Sequence, residues 1–264
     1  MHTAGRKMTS KWKKYFELGR ELFSSLFFPA RCPVCDEILE PEEREKGIHS
    51  VCENKLYPVL GAVCMHCGRP IGDDNSNYSF REYCFDCVHK GYDRMSYICQ
   101  AKAVYLYKGA IKPTMYRFKY SNKREYADFF AKEAVQKYAD WLQRVGVEVI
   151  VPVPLYRKKQ RKRGYNQAEC FAREMSRLTG IPTEENMVIR VKDTTPQKGL
   201  GEQQRKNNLK NAFHSEKNVV QYRCVMVVDD IYTTGSTAEA VARELIKKGA
   251  HKVYLMTICI GEDK

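Results

Sequence analysis

The placement of the cysteines constrains this chain more than any other feature. Of the eleven cysteines among the 264 residues, eight lie between Cys32 and Cys99. Six of these form three Cys-x-x-Cys pairs, CPVC from Cys32, CMHC from Cys64 and CFDC from Cys84. Two thiolates at this spacing bind one metal ion from a tight turn, and a second pair completes a tetrahedral site. Because the chain shows no secretory signal, we expect metal sites rather than a disulfide framework.

The last two pairs are separated by sixteen residues, a spacing typical of zinc ribbons and knuckles. They predict one zinc site made of Cys64, Cys67, Cys84 and Cys87. With four protein ligands and no open position, this zinc would be structural and would supply folding free energy.

The CPVC pair has no second cysteine pair of its own, but His49-x-x-Cys52 follows it. An imidazole nitrogen can replace a thiolate on zinc, which predicts a second structural site. Its ligands would be Cys32, Cys35, His49 and Cys52. The alternative is that His49 is a surface residue and this site is incomplete.

Before the cysteines, the segment SKWKKYFELGRELFSSLFFP predicts an amphipathic helix that ends at Pro29. Glu17, Arg20 and Glu21 interrupt any apolar run, so the segment does not have the pattern of a signal peptide. We expect the helix to pack on its own protein, the alternative being a partner or a membrane surface. No segment approaches about 18 uninterrupted apolar residues. We therefore expect no membrane span and a cytoplasmic protein.

The formal net charge is +13, which favours an anionic partner such as nucleic acid, phosphate or a polyphosphorylated metabolite. The densest basic run is RKKQRKRG, which begins at Arg157. The alternative interpretation of this run is a solvated loop without a ligand.

After Gly91 the pattern changes to alternating apolar strands and amphipathic helices. Strands are predicted in YICQAKAVYLY, VEVIVPVP, RCVMVVDD and HKVYLMTICI, and helices at Arg124–Gln143, Asn166–Gly180 and Ser236–Gly249. This alternation is typical of a mostly parallel α/β sheet flanked by helices. Such sheets bind ligands outside the carboxyl ends of their strands.

The stretch VMVVDDIYTTGST places Asp229 and Asp230 at the predicted end of a strand and Thr233–Thr237 in the loop that enters the next helix. Small residues around Gly235 allow backbone N–H groups, hydroxyls and the helix N-terminus to surround a phosphate. The two carboxylates suit sugar hydroxyls, with Mg²⁺ nearby. The alternatives are a salt bridge to basic neighbours for the acids and a helix N-cap for Ser236 or Thr237.

These residues resemble a known family. VMVVDDIYTTGST is similar to the phosphoribosyl-pyrophosphate (PRPP) motif of type I phosphoribosyltransferases, and the whole chain resembles the ComF (ComFC) competence family. Further landmarks are the cysteine knuckles, YRFKYSNKREYA, VPVPLYRKKQRKRGYNQAE and RVKDTTPQKGLGEQQRKNNLKNAF. The resemblance implies a phosphoribosyltransferase fold over 93–264, after a zinc-binding double-knuckle region over 31–92 and an N-terminal amphipathic helix within 1–30. His49 stands where a cysteine is more usual.

The resemblance also implies roles for individual residues. PRPP would be bound by Asp229, Asp230, Thr233, Thr234, Gly235, Ser236 and Thr237. The pyrophosphate loop would be Val153, Pro154, Leu155, Arg163 and Gly164. Catalysis, with Mg²⁺ accompanying PRPP, would depend on Asp229, Asp230, Arg163, Lys198 and Arg205, the last two in a mobile loop over Lys192–Arg205.

The implied function is that of a PRPP-binding, phosphoribosyltransferase-like protein in the uptake of single-stranded DNA during natural transformation, with DNA-uptake proteins as partners. Nucleic acid would contact Arg157, Lys158, Lys159, Arg161 and Lys162. Four tyrosines would stack on bases or else belong to the core or a pocket: Tyr116, Tyr120, Tyr156 and Tyr165. The alternatives are a catalytically inactive PRPP sensor on a DNA-binding adaptor and a nucleobase-salvage phosphoribosyltransferase.

Overall fold

The computed structural model of the chain describes residues 29–71, 82–89, 91, 96–192, 209, 211–216 and 219–261. The predicted amphipathic helix, up to residue 28, lies outside these residues, as do Lys198 and Arg205 of the predicted mobile loop. Within the described ranges, no helix is both long enough and apolar enough to cross a membrane.

Four parallel strands form the central sheet. The strands of the described residues are β1 (Gln100–Leu106), β2 (Val149–Pro152), β3 (Ile189–Arg190), β4 (Phe213–His214), β5 (Cys224–Tyr232) and β6 (Lys252–Ile260). The sheet has the order β1-β6-β5-β2, and all of its neighbours are parallel. β3 and β4 form a separate antiparallel ribbon.

Of the α-helices in the described residues, two precede β1 and the other five lie in the connections between the parallel strands. They are α1 (Ser50–Glu53), α2 (Phe85–His89), α3 (Ile111–Tyr120), α4 (Tyr126–Val145), α5 (Arg157–Arg163), α6 (Gln167–Thr179) and α7 (Ser236–Lys247). The predicted helices correspond to α4, α6 and α7. The predicted fold class, a mostly parallel sheet flanked by helices and preceded by a small cysteine-knuckle region, is confirmed.

Two helices differ from the sequence prediction. No helix is predicted at α3, although Ile111, Met115 and Phe118 are fully buried at the spacing of one helical face. The basic run forms α5 rather than the loop of the alternative interpretation, and none of its residues is buried.

The sheet separates two hydrophobic cores. Alternate residues of β5 enter opposite cores, Val225 and Val227 on one side and Met226 and Val228 on the other. The Met226 side is covered by α3, α4, α6 and the first knuckle, which contributes Cys32 and Cys52. The Val225 side is covered by α7, the ribbon and the second knuckle, with all four of its cysteines. Each knuckle therefore covers a different face of the sheet.

β5 continues two residues beyond its predicted end at Asp230. Its pairing with β2 stops at Val228, opposite Pro152, whereas its pairing with β6 continues to Tyr232, opposite Ile260. Proline has no N–H group to extend the ladder, and the chain leaves β2 there. The two acids are thus part of the strand, but they project beyond the end of β2.

Candidate functional site

The second knuckle brings four cysteines together in the interior. Ligand atoms of Cys64, Cys67, Cys84 and Cys87 all lie within 4.8 Å of one another, and all four residues are buried. The Sγ atoms of Cys67 and Cys84 are 3.6 Å apart. Tetrahedral zinc with Zn–S bonds of about 2.3 Å places neighbouring sulfurs about 3.8 Å apart. The predicted ligand set therefore fits a structural zinc ion.

The first knuckle gathers Cys32, Cys35, His49 and Cys52 within the same 4.8 Å limit. His49 Nδ1 lies 3.1 Å from Cys35 Sγ, and its Nε2 lies 3.1 Å from the Ile38 carbonyl oxygen. An imidazole that donates one N–H to a carbonyl presents its other nitrogen to a metal, which is the usual arrangement around ligating histidines. This geometry favours His49 as a ligand over the alternative of a surface residue.

The acid pair lies at the carboxyl end of β5. The Asp230 amide donates to Asp229 Oδ1 at 2.8 Å, so the first carboxylate turns back onto the backbone of the second residue. Burial raises the pKa of Asp229 to about 7, and the neighbouring Asp230 charge acts in the same direction. Lys119 and Arg190 oppose this rise through their positive charges. Neutral pH is therefore close to the midpoint of the Asp229 titration.

Asp230 forms an ion pair that the sequence did not assign. Its Oδ2 lies 2.9 Å from Lys119 Nζ at the end of α3, with both side chains more than four-fifths buried. Although burial acts to lower it, the pKa of Lys119 is raised, because the Asp230 carboxylate outweighs that effect. Asp230 thus forms a salt bridge to a basic neighbour, as the alternative interpretation expects. The landmark YRFKY contains this lysine, and the Ile111, Met115, Phe118 spacing was the available signal for its helix.

The loop after the acids, Thr233–Thr237, forms a concave cradle. One small pocket is lined by Asp229, Thr233–Thr237 and, from β6, Thr257. Gly235 is the N-cap of α7 with φ +75°, and a Cβ atom there would lie 2.4 Å from the Tyr232 hydroxyl. Only glycine fits this position. No side chain caps the helix, so an N-cap role for Ser236 or Thr237 is wrong. Instead, the hydroxyls of Thr234 and Ser236 lie 2.9 Å apart.

The residues predicted for the pyrophosphate loop fall into two groups. Val153, Pro154 and Leu155 follow β2, where the Val153 amide donates to the Val228 carbonyl beside the acid pair. Arg163 and Gly164 lie at the far end of α5. The Arg163 guanidinium donates to Gln167 Oε1 at 3.0 Å and to the Tyr120 hydroxyl at 3.2 Å. Arg163 is therefore held against the same helix that carries Lys119.

The basic residues and tyrosines predicted to contact DNA differ in their exposure to solvent. Arg157, Lys158, Arg161 and Lys162 are exposed on α5, and Lys159 is half-buried. Tyr116 and Tyr120 are 64% and 57% exposed, with ring centroids 5.0 Å apart. Tyr165 is buried and its hydroxyl donates to the Phe118 carbonyl, so it belongs to the core. Tyr156 is half-buried.

Residues 23–88 match a family model described as a double zinc ribbon domain. The chain is 33% identical over 236 residues to Competence protein F of Haemophilus influenzae, which covers 87% of this chain and 96% of that protein. It is 29% identical over 216 residues to the DNA utilization protein YhgH of Escherichia coli, covering 81% and 90%. It is 28% identical over 217 residues to Competence protein ComFC of Bacillus subtilis, covering 80% and 82%.

Solved structures that superpose on the chain include the glutamine PRPP amidotransferase from B. subtilis, at 18% identity and a TM-score of 0.37. That alignment covers 53% of this chain and 30% of the amidotransferase. A purine phosphoribosyltransferase from Pyrococcus horikoshii aligns at 20% identity and a TM-score of 0.33, covering 50% and 74%. Superpositions this loose carry no argument about activity.

Proposed function

The chain belongs to the ComF family of competence proteins, and we propose that it binds PRPP at the carboxyl edge of its sheet and single-stranded DNA on the adjoining basic surface. Relatives are named for competence and for DNA utilization. A DNA-handling role in natural transformation agrees with those names and with the charge of +13.

The observation that carries the PRPP proposal is the arrangement at the end of β5. A half-buried carboxylate, Asp229, and the Gly235 cradle line a single pocket. A 5′-phosphate in the cradle would meet the N-terminus of α7 and the hydroxyls of Thr234 and Ser236. The ribose hydroxyls would then reach the acid pair, with Mg²⁺ entering as part of the Mg²⁺–PRPP substrate complex.

Ribose transfer at this site would need no nucleophile from the protein. The bond between the anomeric carbon and pyrophosphate breaks with its electron pair on the leaving oxygen, and an incoming nitrogen supplies the pair for the new bond. Nearby cations would stabilise the negative charge on pyrophosphate. Of the three predicted catalytic cations, Arg163 lies within the described residues, and Lys198 and Arg205 lie outside them. The carboxylates of Asp229 and Asp230 orient the electron-poor sugar.

The DNA proposal is supported by a basic and aromatic surface beside that pocket. The Arg163 guanidinium lies 4.9 Å from the centre of the exposed Tyr120 ring, and Tyr116 packs against Tyr120. The exposed cations of α5 continue this surface. Stacking on an aromatic ring contributes about 1–3 kcal/mol per base, and phosphate contacts add salt-dependent affinity.

Titration calorimetry with Mg²⁺–PRPP, followed by an assay for pyrophosphate, tests the PRPP proposal. We expect the wild type to bind PRPP and the Asp229→Asn/Asp230→Asn variant to bind at least roughly a hundredfold more weakly, since each of the two lost charge-assisted hydrogen bonds contributes about 1.5–3 kcal/mol. Asp140→Asn, which alters an exposed acid of α4, should bind as the wild type does.

The pyrophosphate assay separates the two forms of this function. Release of pyrophosphate with an amine or nucleobase acceptor identifies a transferase. Binding without release identifies a PRPP sensor. Absence of PRPP binding by the wild type would overturn the proposal.

A further inference from the structure

A buried arginine joins the second knuckle to the phosphate loop. Arg69 follows the Cys64 to Cys67 turn, and its side chain is 7% exposed. Its NH1 donates to Asp86 Oδ2 at 3.1 Å, its Nε to the Gly261 carbonyl at 3.2 Å and its NH2 to the Thr233 carbonyl at 3.3 Å. The guanidinium therefore connects Asp86, which lies between the ligands Cys84 and Cys87, to two carbonyls at the carboxyl edge of the sheet.

The two carbonyls belong to neighbouring strand ends. Thr233 directly follows β5 and opens the cradle, and Gly261 directly follows β6. The Gly261 amide donates in turn to the Tyr232 carbonyl at 2.9 Å. Arg69 thus fixes the position at which the chain leaves β5 and enters the loop. The knuckle and the cradle share a small pocket lined by Cys67, Cys87, Arg69 and Thr233–Thr234.

A second connection reaches the helix behind the loop. His66 Nδ1 lies 3.4 Å from Cys87 Sγ, and its Nε2 lies 2.8 Å from Ser96 Oγ. Ser96 donates to Glu239 in the first turn of α7, and the Tyr97 amide donates to the same carboxylate at 3.1 Å. The second knuckle therefore holds both ends of the cradle, the entry through Arg69 and the helix through Glu239.

The second knuckle packs closely against strand β1. The Ala101 amide of β1 donates to the His66 carbonyl at 2.6 Å. A Cβ atom on Gly68, whose φ is +73°, would lie 2.6 Å from the Ala101 carbonyl oxygen. The knuckle backbone is thus packed directly against a sheet strand, and bulkier residues would separate the two.

We propose that Arg69 is a positioning residue for the phosphate loop, through which the zinc-ordered second knuckle preorganises the cradle. The inference rests on the phosphate-binding role proposed for this loop. A loop of small residues loses conformational entropy when it closes on a phosphate, and a loop already held at its entry loses less. The second zinc site therefore acts on ligand affinity as well as on folding.

Hydrogen exchange of the zinc-loaded, ligand-free protein tests this hold on the loop directly. In Arg69→Gln we expect exchange of the amides at 233–236 to be about tenfold faster, with zinc content and exchange in β5 and β6 unchanged. We expect the dissociation constant for Mg²⁺–PRPP to rise about tenfold in the same variant.

The matched control is Arg31→Gln. Arg31 is a half-buried arginine next to Cys32 in the first knuckle, and its guanidinium donates to the Asp36 carbonyl at 2.7 Å, within that knuckle. Loop exchange and PRPP affinity should stay at wild-type values in this control. Arg69→Lys keeps the charge but cannot bridge three partners, and it should fall between the wild type and Arg69→Gln.

The outcomes separate the two proposals. Wild-type loop exchange and PRPP affinity in a zinc-loaded Arg69→Gln protein would overturn the role of Arg69 and leave PRPP binding intact. A wild type that does not bind PRPP would overturn the proposed function, and loop exchange alone would then decide whether Arg69 positions the loop. If Arg69→Gln does not fold, the same two measurements on Arg69→Lys decide, and wild-type values there would overturn the inference.

Discussion

Asp229 and Asp230 are adjacent in sequence but differ in their surroundings. Successive side chains of a strand point to opposite faces. Asp230 meets Lys119 on the α3 side, whereas Asp229 lines the cradle pocket without a cation at ion-pair distance among the described residues. Asp230 thus has an ion-pair partner, whereas burial raises the pKa of Asp229 to about 7.

The raised pKa of Asp229 predicts a stability effect with a definite sign. The folded state retains a proton that the unfolded carboxyl, with a pKa near 3.8, releases, so this group lowers stability as pH rises from about 4 through 7. Asp229→Asn should therefore melt at a higher temperature than the wild type at pH 8, by roughly 2–4 °C for each kcal/mol gained. The difference should shrink towards zero below pH 4, as measured by calorimetric melts across this range.

Asp140→Asn serves as the reference, because it removes an exposed charge from α4. Its melting temperature should follow the wild type at every pH. An Asp229→Asn protein that is no more stable than the wild type at pH 8 would contradict the burial of this charge.

At the scale of single elements, α5 is unusual because six of its seven residues are cationic. Like charges three and four residues apart destabilise a helix, and no buried residue compensates. The Gly164 C-cap, with φ +80°, and the favourable placement of cations in the last turn are the stabilising features that remain. A bound polyanion would remove the repulsion, so this helix should gain order when DNA binds.

Neutralising α5 should weaken DNA binding in a salt-dependent manner. We expect the triple variant Lys158→Gln/Arg161→Gln/Lys162→Gln to bind single-stranded DNA more weakly. Each lost phosphate contact should make the slope of log affinity against log salt shallower by about 0.7. Fluorescence anisotropy over a series of salt concentrations measures both quantities.

The control carries the same change in charge at the opposite edge of the sheet. Arg144, Arg223 and Lys252 are exposed near the amino ends of the strands, and their replacement by Gln should leave the slope close to that of the wild type. Equal slopes for the two triple variants would show that DNA does not use α5.

At the scale of the whole molecule, the features predicted from sequence are the local ones. The knuckle spacings, the strand and helix periods and the loop around Gly235 each depend on neighbouring residues. Lys119 pairs with an acid that lies 111 positions later, and Arg69 bonds a carbonyl 164 positions later. Such contacts depend on which strands become neighbours and on which face each knuckle covers, and no local pattern contains that information.

Loss of zinc should therefore unfold the whole molecule rather than the knuckles alone. A structural zinc ion supplies about 10–16 kcal/mol in small zinc modules, whereas whole domains are stable by only about 5–15 kcal/mol. Because each knuckle covers one face of the sheet, a chelator should lower the melting temperature in a single cooperative transition, measured by near-ultraviolet circular dichroism together with zinc analysis.

Cys67→Ala should resemble the chelated protein. Cys99→Ala, which removes an exposed cysteine outside both clusters, should retain its zinc and its stability. A zinc-free chain that still melts near the wild-type temperature would show that the sheet is stable without zinc in the knuckles.

The position of β6 has a consequence for the order of events during synthesis. Among the described strands, β6 is the last to be made, yet it lies between β1 and β5. The knuckles, complete at Cys87, leave the ribosome roughly ten to thirty seconds before β6 does, at about 5–20 residues per second. The ligands of both zinc sites are therefore available to a metal ion before the surface that the knuckles cover exists. The zinc present at the time of translation, rather than any supplied later, should determine how much of this protein a cell accumulates.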